Sequence, residues 1–384
     1  MEYKALGELC DVVSGGTPSR SKQEYWNGDI PWIKIGNIKS KYVSEADEFI
    51  TEAGLSGSSA KMLKKGTILY TIFATLGEAG VLTIDACTNQ AIAGITIKDE
   101  SVIDRDYLFY YLKSKKKYVN KVGRGVAQNN INMSILRGFE VPIRKLHEQQ
   151  EITNILDKTS SIIEDRRQEL EKLDELIKAR FVEFFGDPIH NEMGWDTAAV
   201  ESVCKEIFGG GTPSKSHPEY YENGDIPWVS SKDMKTDVLT ESQIYINQKG
   251  VDNSTARIVP VNSVIMVIRS GILKHTLPVA INAVPITVNQ DLKVFIPGES
   301  MLTRFMAVQF KMQEADILSG VRAVTADNIE FNSLKQRAMI VPPIELQKEY
   351  VDFLEQVDKS KVAVQKALDE ARTLFDSLMQ EYFG

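Results

Sequence analysis

One internal repeat constrains this chain more than any other feature, because a pattern stated twice fixes two related units before any local element is assigned. Gly15-Gly16-Thr17-Pro18-Ser19 returns as Gly210-Gly211-Thr212-Pro213-Ser214, and Tyr25-Trp26-Asn27-Gly28-Asp29-Ile30-Pro31-Trp32 returns as Tyr220-Tyr221-Glu222-Asn223-Gly224-Asp225-Ile226-Pro227-Trp228. Asn89-Gln90 matches Asn289-Gln290, Arg124 matches Arg322, Asn130-Ile131 matches Asn328-Ile329, and Val141-Pro142 matches Val341-Pro342. The offset stays between 195 and 200. At 384 residues and 43% hydrophobic content, each unit is long enough to bury a core of its own.

Each unit ends in a long polar stretch with helical periodicity. The second carries a heptad seam of Tyr350, Leu354, Val357, Lys361, Val364, Leu368, Ala371, Phe375, Leu378 and Tyr382. Its counterpart runs through Ile152, Leu156, Thr159, Ile163, Arg166, Leu170, Leu173, Ile177, Arg180 and Phe184. Here the gaps at Thr159, Arg166 and Arg180 are expected to be partly filled by neighbours such as Ile155, Ile162 and Leu176, widening the apolar stripe. At about 1.5 Å per residue, each helix would run roughly 55 to 60 Å. Residues 66–73, 91–97, 264–268 and 291–296 are short, β-branched and bounded by turn residues, and read as strands. Residues 106–113 and 302–313 read as helices. With no regular strand-helix alternation, the expectation is an α+β fold: two repeated α/β domains with mostly antiparallel, curved sheets. The boundaries are 1–142 and 187–342 for the domains, with helices over 143–186 and 343–384.

The net charge of −8 counts at first against a partner as acidic as nucleic acid. The distribution reverses that reading. Residues 146–186 hold 10 acidic and 6 basic side chains, residues 344–384 hold 9 and 5, and the rest of the chain is balanced at 34 of each. The helical segments carry the whole excess, leaving the domains room for basic grooves. No apolar run approaches eighteen residues, and the opening MEYKALGELC has neither region of a secretion signal, so a cytoplasmic, membrane-free chain is expected. Cys10, Cys87 and Cys204 are far apart and odd in number, and read as buried thiols rather than a disulfide framework. The four histidines form no zinc-like pair with them, so no metal is expected.

No phosphate loop, dinucleotide fingerprint, H-E-x-x-H or cysteine pair is present, and no Asn-Pro-Pro-Tyr tetrapeptide of the amino-methyltransferase kind. Gly209-Gly210-Gly211 precedes Thr-Pro and opens no evident helix, and reads as a tight loop. The chain is therefore expected to be non-catalytic and to bind no cofactor. Two patches carry candidate contacts. After the Trp block, Lys34, Asn37 and Lys39 in one unit stand against Ser230, Ser231, Lys232 and Asp233 in the other: the frame repeats while the polar cargo changes. Modules that share a scaffold but read different bases would look like this, and so would surface drift. Before each long helix, Arg124, Gln128, Asn129 and Asn130 stand against Arg322, Asp327 and Asn328. Gln and Asn suit adenine and Arg suits guanine or phosphate, while an Asn at such a place also serves as a turn or cap. Lys113, Lys115, Lys116, Lys117 and Lys121 form the densest positive run, open to reading as a phosphate contact or a solvated helix end.

The Gly-Gly-Thr-Pro-Ser loop, the Trp-Asn-Gly-Asp-Ile-Pro-Trp block, the Asn-Gln pair, and Val-Pro leading into Leu146-His-Glu-Gln-Gln-Glu-Ile152 and Ile344-Glu-Leu-Gln-Lys-Glu-Tyr350 together resemble the specificity subunits of type I restriction-modification enzymes. The resemblance spans nearly the whole chain. It implies two target-recognition domains, each binding one half of a bipartite duplex DNA site. The two helices would pack antiparallel as a spacer between the domains. It also implies docking of two methyltransferase subunits, which bring S-adenosylmethionine and the catalytic residues, and optional recruitment of motor-nuclease subunits. Leu346 stands where the family's acidic residue stands as Glu148 in the first unit. The competing reading is a scaffold protein whose tandem α/β domains and coiled coil bind protein only; a self-contained methyltransferase or nuclease comes third.

Overall fold

The computed structural model describes residues 2–123, 130–323 and 327–384. It separates into two compact units, Met1–Arg167 with Gln365–Gly384, and Gln168–Val364. Each unit therefore takes in a segment of both long helices.

The repeat in the sequence is a repeat of topology. In the first unit a five-stranded sheet runs in the order Cys10–Ser14, Ile92–Ile97, Ile68–Thr71, Ala79–Leu82, Tyr42–Val43. In the second the order is Cys204–Gly209, Leu292–Pro297, Val264–Val267, Val279–Asn282, Val238–Leu239. Only the last pair of each sheet is parallel. A three-stranded sheet accompanies each, Glu48–Ile50, Trp26–Ile33, Cys87–Thr88 and its match Tyr245–Ile246, Ile226–Val229, Thr287–Val288. An antiparallel two-stranded ribbon ties Glu2–Ala5 to Glu140–Ile143, and Thr197–Ala199 to Ala338–Ile340. The sheets are thus open and mostly antiparallel. The expected strands and the expected short helices are present, the latter as Arg105–Ser114 and Thr303–Met312.

Both long helices have 40 residues, Leu146–Phe185 and Ile344–Phe383, about 60 Å each. Their starts are fixed by one device used twice. Gln149 is fully buried; its Oε1 accepts from Asp104 N at 2.8 Å and its Nε2 donates to Val102 O and Arg144 O at 2.9 Å. Gln347 repeats this with Leu302 N, Ser300 O and Pro342 O, each at 2.9 Å. The amide thus satisfies loop and helix-start backbone groups that burial would otherwise leave unpaired. Beside Gln347, Leu346 packs against the core of the second unit, so the departure at this position is turned partly inward.

Large apolar side chains at the helix ends join the domain cores. Met379 and Phe383 pack with Ile152 and Leu156 in the first unit, and Phe181 and Phe185 with Tyr350 and Phe305 in the second. These lie one residue from the heptad positions, because the last turns face a domain as well as a helix. Ile155, Ile162 and Leu176 do not fill the seam as expected. They are 41%, 48% and 44% exposed. Thr159 occupies the seam itself, buried, its hydroxyl donating to Ile155 O at 2.8 Å, so no neighbour is needed there. Cys204 is only half-buried, unlike Cys10 and Cys87. No helix among the described residues is long and apolar enough to cross a membrane.

Candidate nucleic-acid interface

The Gly-Gly-Thr-Pro loops are the fixed root of the site in both units. A Cβ on Gly15 would lie 2.2 Å from Asn89 O, and one on Gly210 only 1.8 Å from Val288 O, so only glycine lets the loop approach the sheet this closely. Trp32 donates its indole N–H to Gly16 O at 2.9 Å, and Trp228 does the same to Gly211 O at 2.9 Å. Gln90 bonds the Thr17 hydroxyl and Gln290 the Thr212 hydroxyl. The expected tight loop is therefore what the glycines build, and the Trp block and the Asn-Gln pair hold it. Asn27 and Asn223 turn the chain at φ of 61° and 52°, a left-handed conformation that Asn tolerates well.

The turn after each Trp block is built on the same hydrogen bond. Asn37 Oδ1 accepts from Lys34 N at 2.8 Å; Asp233 Oδ2 accepts from Ser230 N and Ser230 Oγ, both at 2.8 Å, while its Oδ1 accepts from Gln243 N. Asn37 and Asp233 are thus bonded within the turn. Lys39 and Lys232 are exposed, and Ser231 is half-exposed. Lys34 reaches Glu48 at 2.6 Å, and Arg20 reaches the same carboxylate at 2.6 Å. The Lys34 hydrogen bond, with Arg20 beside it, holds the Glu48 carboxyl below its usual range. In the second unit Ile244 takes the place of Glu48, and an open cleft of about 450 Å³ lies among Lys215, Tyr221 and Ile244.

The second candidate patch is described only in part. Arg124, Gln128 and Asn129 lie outside the described residues, as does the side chain of Arg322. Asn130 bridges Phe73, and Asn328 bridges Arg269; next to them Ile131 N donates to Ile72 O at 3.1 Å and Ile329 N to Ile268 O at 2.9 Å. The returning segment is therefore stitched to the end of the central strand in both units. Asp327 is only 6% exposed, its carbonyl accepting from Ser270 N and its carboxylate 3.8 Å from Lys274. Arg269, half-exposed and bonded to Asp291 at 2.6 Å, stands where the first unit has Phe73. Sequence reasoning missed it, since only the register pairing it with Asn328 draws it to this rim.

The lysine run does not form one patch. Lys115 lies over the Tyr111 ring, Lys113 near Phe109 and Phe375, and Lys116 pairs with Glu78 at 2.5 Å; Lys113, Lys116, Lys117 and Lys121 are exposed and Lys115 is half-buried. The run spans the end of Arg105–Ser114 and the next helix, Lys116–Gly123. Burial pushes the Cys10 and Cys204 thiols up to about 12 and the Cys87 thiol to about 11, which makes them poor nucleophiles. Among the described residues, no three His, Cys, Asp or Glu side chains gather in a metal-binding group.

The chain thus holds two copies of one α/β module, each with a glycine root, a polar turn whose side chains differ, and a long helix that follows it. The family model for the type I restriction modification DNA specificity domain matches residues 1–173 and 192–371, and the chain belongs to that family as a type I specificity subunit. It is 26% identical to the type I restriction enzyme MjaIX specificity subunit of Methanocaldococcus jannaschii, over 98% of this chain and 91% of that one. It is 32% identical to the EcoR124I/EcoR124II specificity subunit of Escherichia coli, over 56% of this chain and 53% of that one. The fold matches that of a crystallised type I S subunit from M. genitalium with a TM-score of 0.58 at 14% identity, over 100% and 96% of the two chains. A chain from a structural study of assembly and conformational transition in the type I R-M system matches with a TM-score of 0.60 at 15% identity, over 100% and 97%.

Proposed function

We propose that each unit reads one half of a bipartite duplex DNA site, and that the chain supplies recognition to a methyltransferase and endonuclease complex without performing chemistry itself. One observation carries this reading: the Trp–Gly and Thr–Gln bonds that hold the root recur in both units, while the turn beside it presents Lys34 and Lys39 in one unit and Ser231 and Lys232 in the other. A shared frame with different donors is what two readers of different base edges require. Ser230 joins that turn through its bond to Asp233. Arg124, Gln128, Asn129 and Asn130, and Arg322 with Asn328, are the second proposed contact set.

The helices would set the distance between half-sites, so that two modest contacts reinforce each other only at the right spacing. They would also dock two methyltransferase subunits carrying S-adenosylmethionine, with motor-nuclease subunits joining in turn. The outward apolar side chains Ile155 and Ile162 in the first unit, and Leu176 and Val362 in the second, support a protein partner on these helices. The test is to measure duplex binding by the chain assembled with the methyltransferase subunits of its own host. A steep fall in affinity with salt and a preference for one bipartite sequence are expected; binding that is absent, or indifferent to sequence, would leave the scaffold reading in its place.

A further inference from the structure

The sharpest unexplained likeness between the units lies on their surface. Residues 19–24 and 214–219 are exposed throughout, yet they repeat the pattern hydroxyl, cation, hydroxyl, cation or imidazole: Ser19-Arg20-Ser21-Lys22 and Ser214-Lys215-Ser216-His217. Apart from the serine pair, their side-chain contacts differ between the units, so no shared packing duty accounts for the agreement, and the turn nearby does not agree. The agreement extends to geometry. Ser19 and Ser21 hydroxyls stand 2.8 Å apart, and those of Ser214 and Ser216 stand 2.6 Å apart. Lys22 bonds the Tyr25 hydroxyl at 2.8 Å, while His217 stacks on the equivalent Tyr220 with ring centroids 5.0 Å apart. An aromatic prop holds each loop up by different chemistry: Trp26 donates its indole N–H to Ser19 O at 3.1 Å, and Tyr221 its hydroxyl to Pro213 O at 2.6 Å.

We infer that these two loops grip the phosphate backbone of duplex DNA, each supplying the sequence-independent half of its unit's contact beside a turn that supplies the specific half. The inference rests on the DNA-reading assignment above. Features common to two readers of different sequences belong to what those sequences share, the phosphates. Hydroxyls and cations are the side chains that phosphate oxygens accept from, and a loop already propped in place loses little entropy on binding. The run 19–24 exposes no large apolar side chain, the anchor that a protein-docking surface is expected to present. Position favours the same partner. Arg20 and Lys34 share the Glu48 carboxylate, and Ile244, which lines the cleft with Lys215, adjoins the Gln243 amide bonded to Asp233, so loop and turn are neighbours in both units.

The units differ in one respect that sharpens the test. Arg20 is held by Glu48 and lies 3.7 Å from the Trp26 ring centroid, whereas Lys215 makes no ion pair or hydrogen bond among the described residues. Lys215 should contribute the larger share, since Arg20 must first give up its carboxylate.

The experiment uses the chain assembled with its methyltransferase subunits and duplexes carrying either the methylated motif or a scrambled one, with anisotropy read from about 50 to 300 mM KCl. Lys215→Ala is expected to lower the salt slope by about 0.9, which corresponds to about an eightfold loss of affinity at 0.1 M salt, equally for both duplexes. Arg20→Ala should do the same to a smaller extent. The motif methylated in cells should be unchanged, whereas Lys232→Ala should alter one half of it. An unchanged slope in Lys215→Ala overturns the inference, as does a changed motif. Weakened retention of methyltransferase at an unaltered slope would assign the loops to protein docking instead. If the unsubstituted complex binds duplex without salt dependence, the DNA-reading assignment falls as well.

Discussion

Replacing Gln149 by alanine tests the device that fixes the first long helix to its domain. The side chain is fully buried and makes three hydrogen bonds of 2.8 to 2.9 Å, all to backbone groups. A neutral hydrogen bond is worth about 1 kcal/mol net, and each buried backbone group left without a partner costs about 1 to 3 kcal/mol. If water admitted to the gap replaces one or two of the three, the loss is about 2 to 4 kcal/mol. With a urea slope of about 2 kcal/mol per molar, the unfolding midpoint of the first unit should fall by about 1 to 2 M. Hydrogen exchange under increasing urea resolves the units, read on peptides covering Ile68–Thr71 and Ile92–Ile97 against Val264–Val267 and Leu292–Pro297. Gln347→Ala should move the second pair of peptides instead. A shift under about 0.3 M in the expected unit would refute the reasoning, because it would mean that the three bonds contribute nothing that water does not replace.

Gly210→Ala places a Cβ 1.8 Å from Val288 O, so the loop or the strand must move; a loss above about 3 kcal/mol, read as a fall in thermal midpoint, is expected, with wild-type stability contradicting the close approach. Thr159→Val removes a hydroxyl bonded only to its own helix and leaves a methyl in the seam, so stability by urea melt should change by less than about 1 kcal/mol in either direction. Alkali should weaken the fold. Burial holds the Cys10 and Cys204 thiols near 12 and Cys87 near 11, and holds the Tyr70, Tyr110, Tyr111 and Tyr350 phenols above their usual range. Groups raised on folding stabilise the neutral form, so this stability is complete below the unfolded thiol value near 8.5 and is lost as pH climbs toward 11 and 12. Equal unfolding midpoints at about pH 7.5 and 10.5 would contradict that.

Much of the fold is legible in the sequence because the repeat, the β-branched runs and the heptads each carry a physical period. Topology follows from the repeat: strands at matched positions pair in matched order. What periodicity could not convey is which of two apolar faces on a long helix meets its partner. Ile155, Ile162 and Leu176 share a heptad spacing as good as that of the seam, and only packing turns them outward. The candidate contacts were legible as positions and less so as roles. Asn37 and Asp233 are polar residues of the kind that read bases, but a short polar side chain bonds its own turn first. Asp327 is buried by a pairing with residues near 270 that no local pattern announces. The loops at 19–22 and 214–217 carried their signal openly, as a repeat continuing past the Gly-Gly-Thr-Pro-Ser match with conservative replacements.

If the two modules read separately, as proposed, exchanging one of them changes only its own half of the site. The most direct measurement is a genome-wide profile of methylated adenines in a host carrying this chain with its methyltransferase, repeated after residues 1–142 are replaced by the matching domain of a relative with another specificity. The expected result is a bipartite motif of which one half changes while the other half and the spacer length persist. A motif with no gap, or one in which both halves change together, would contradict it.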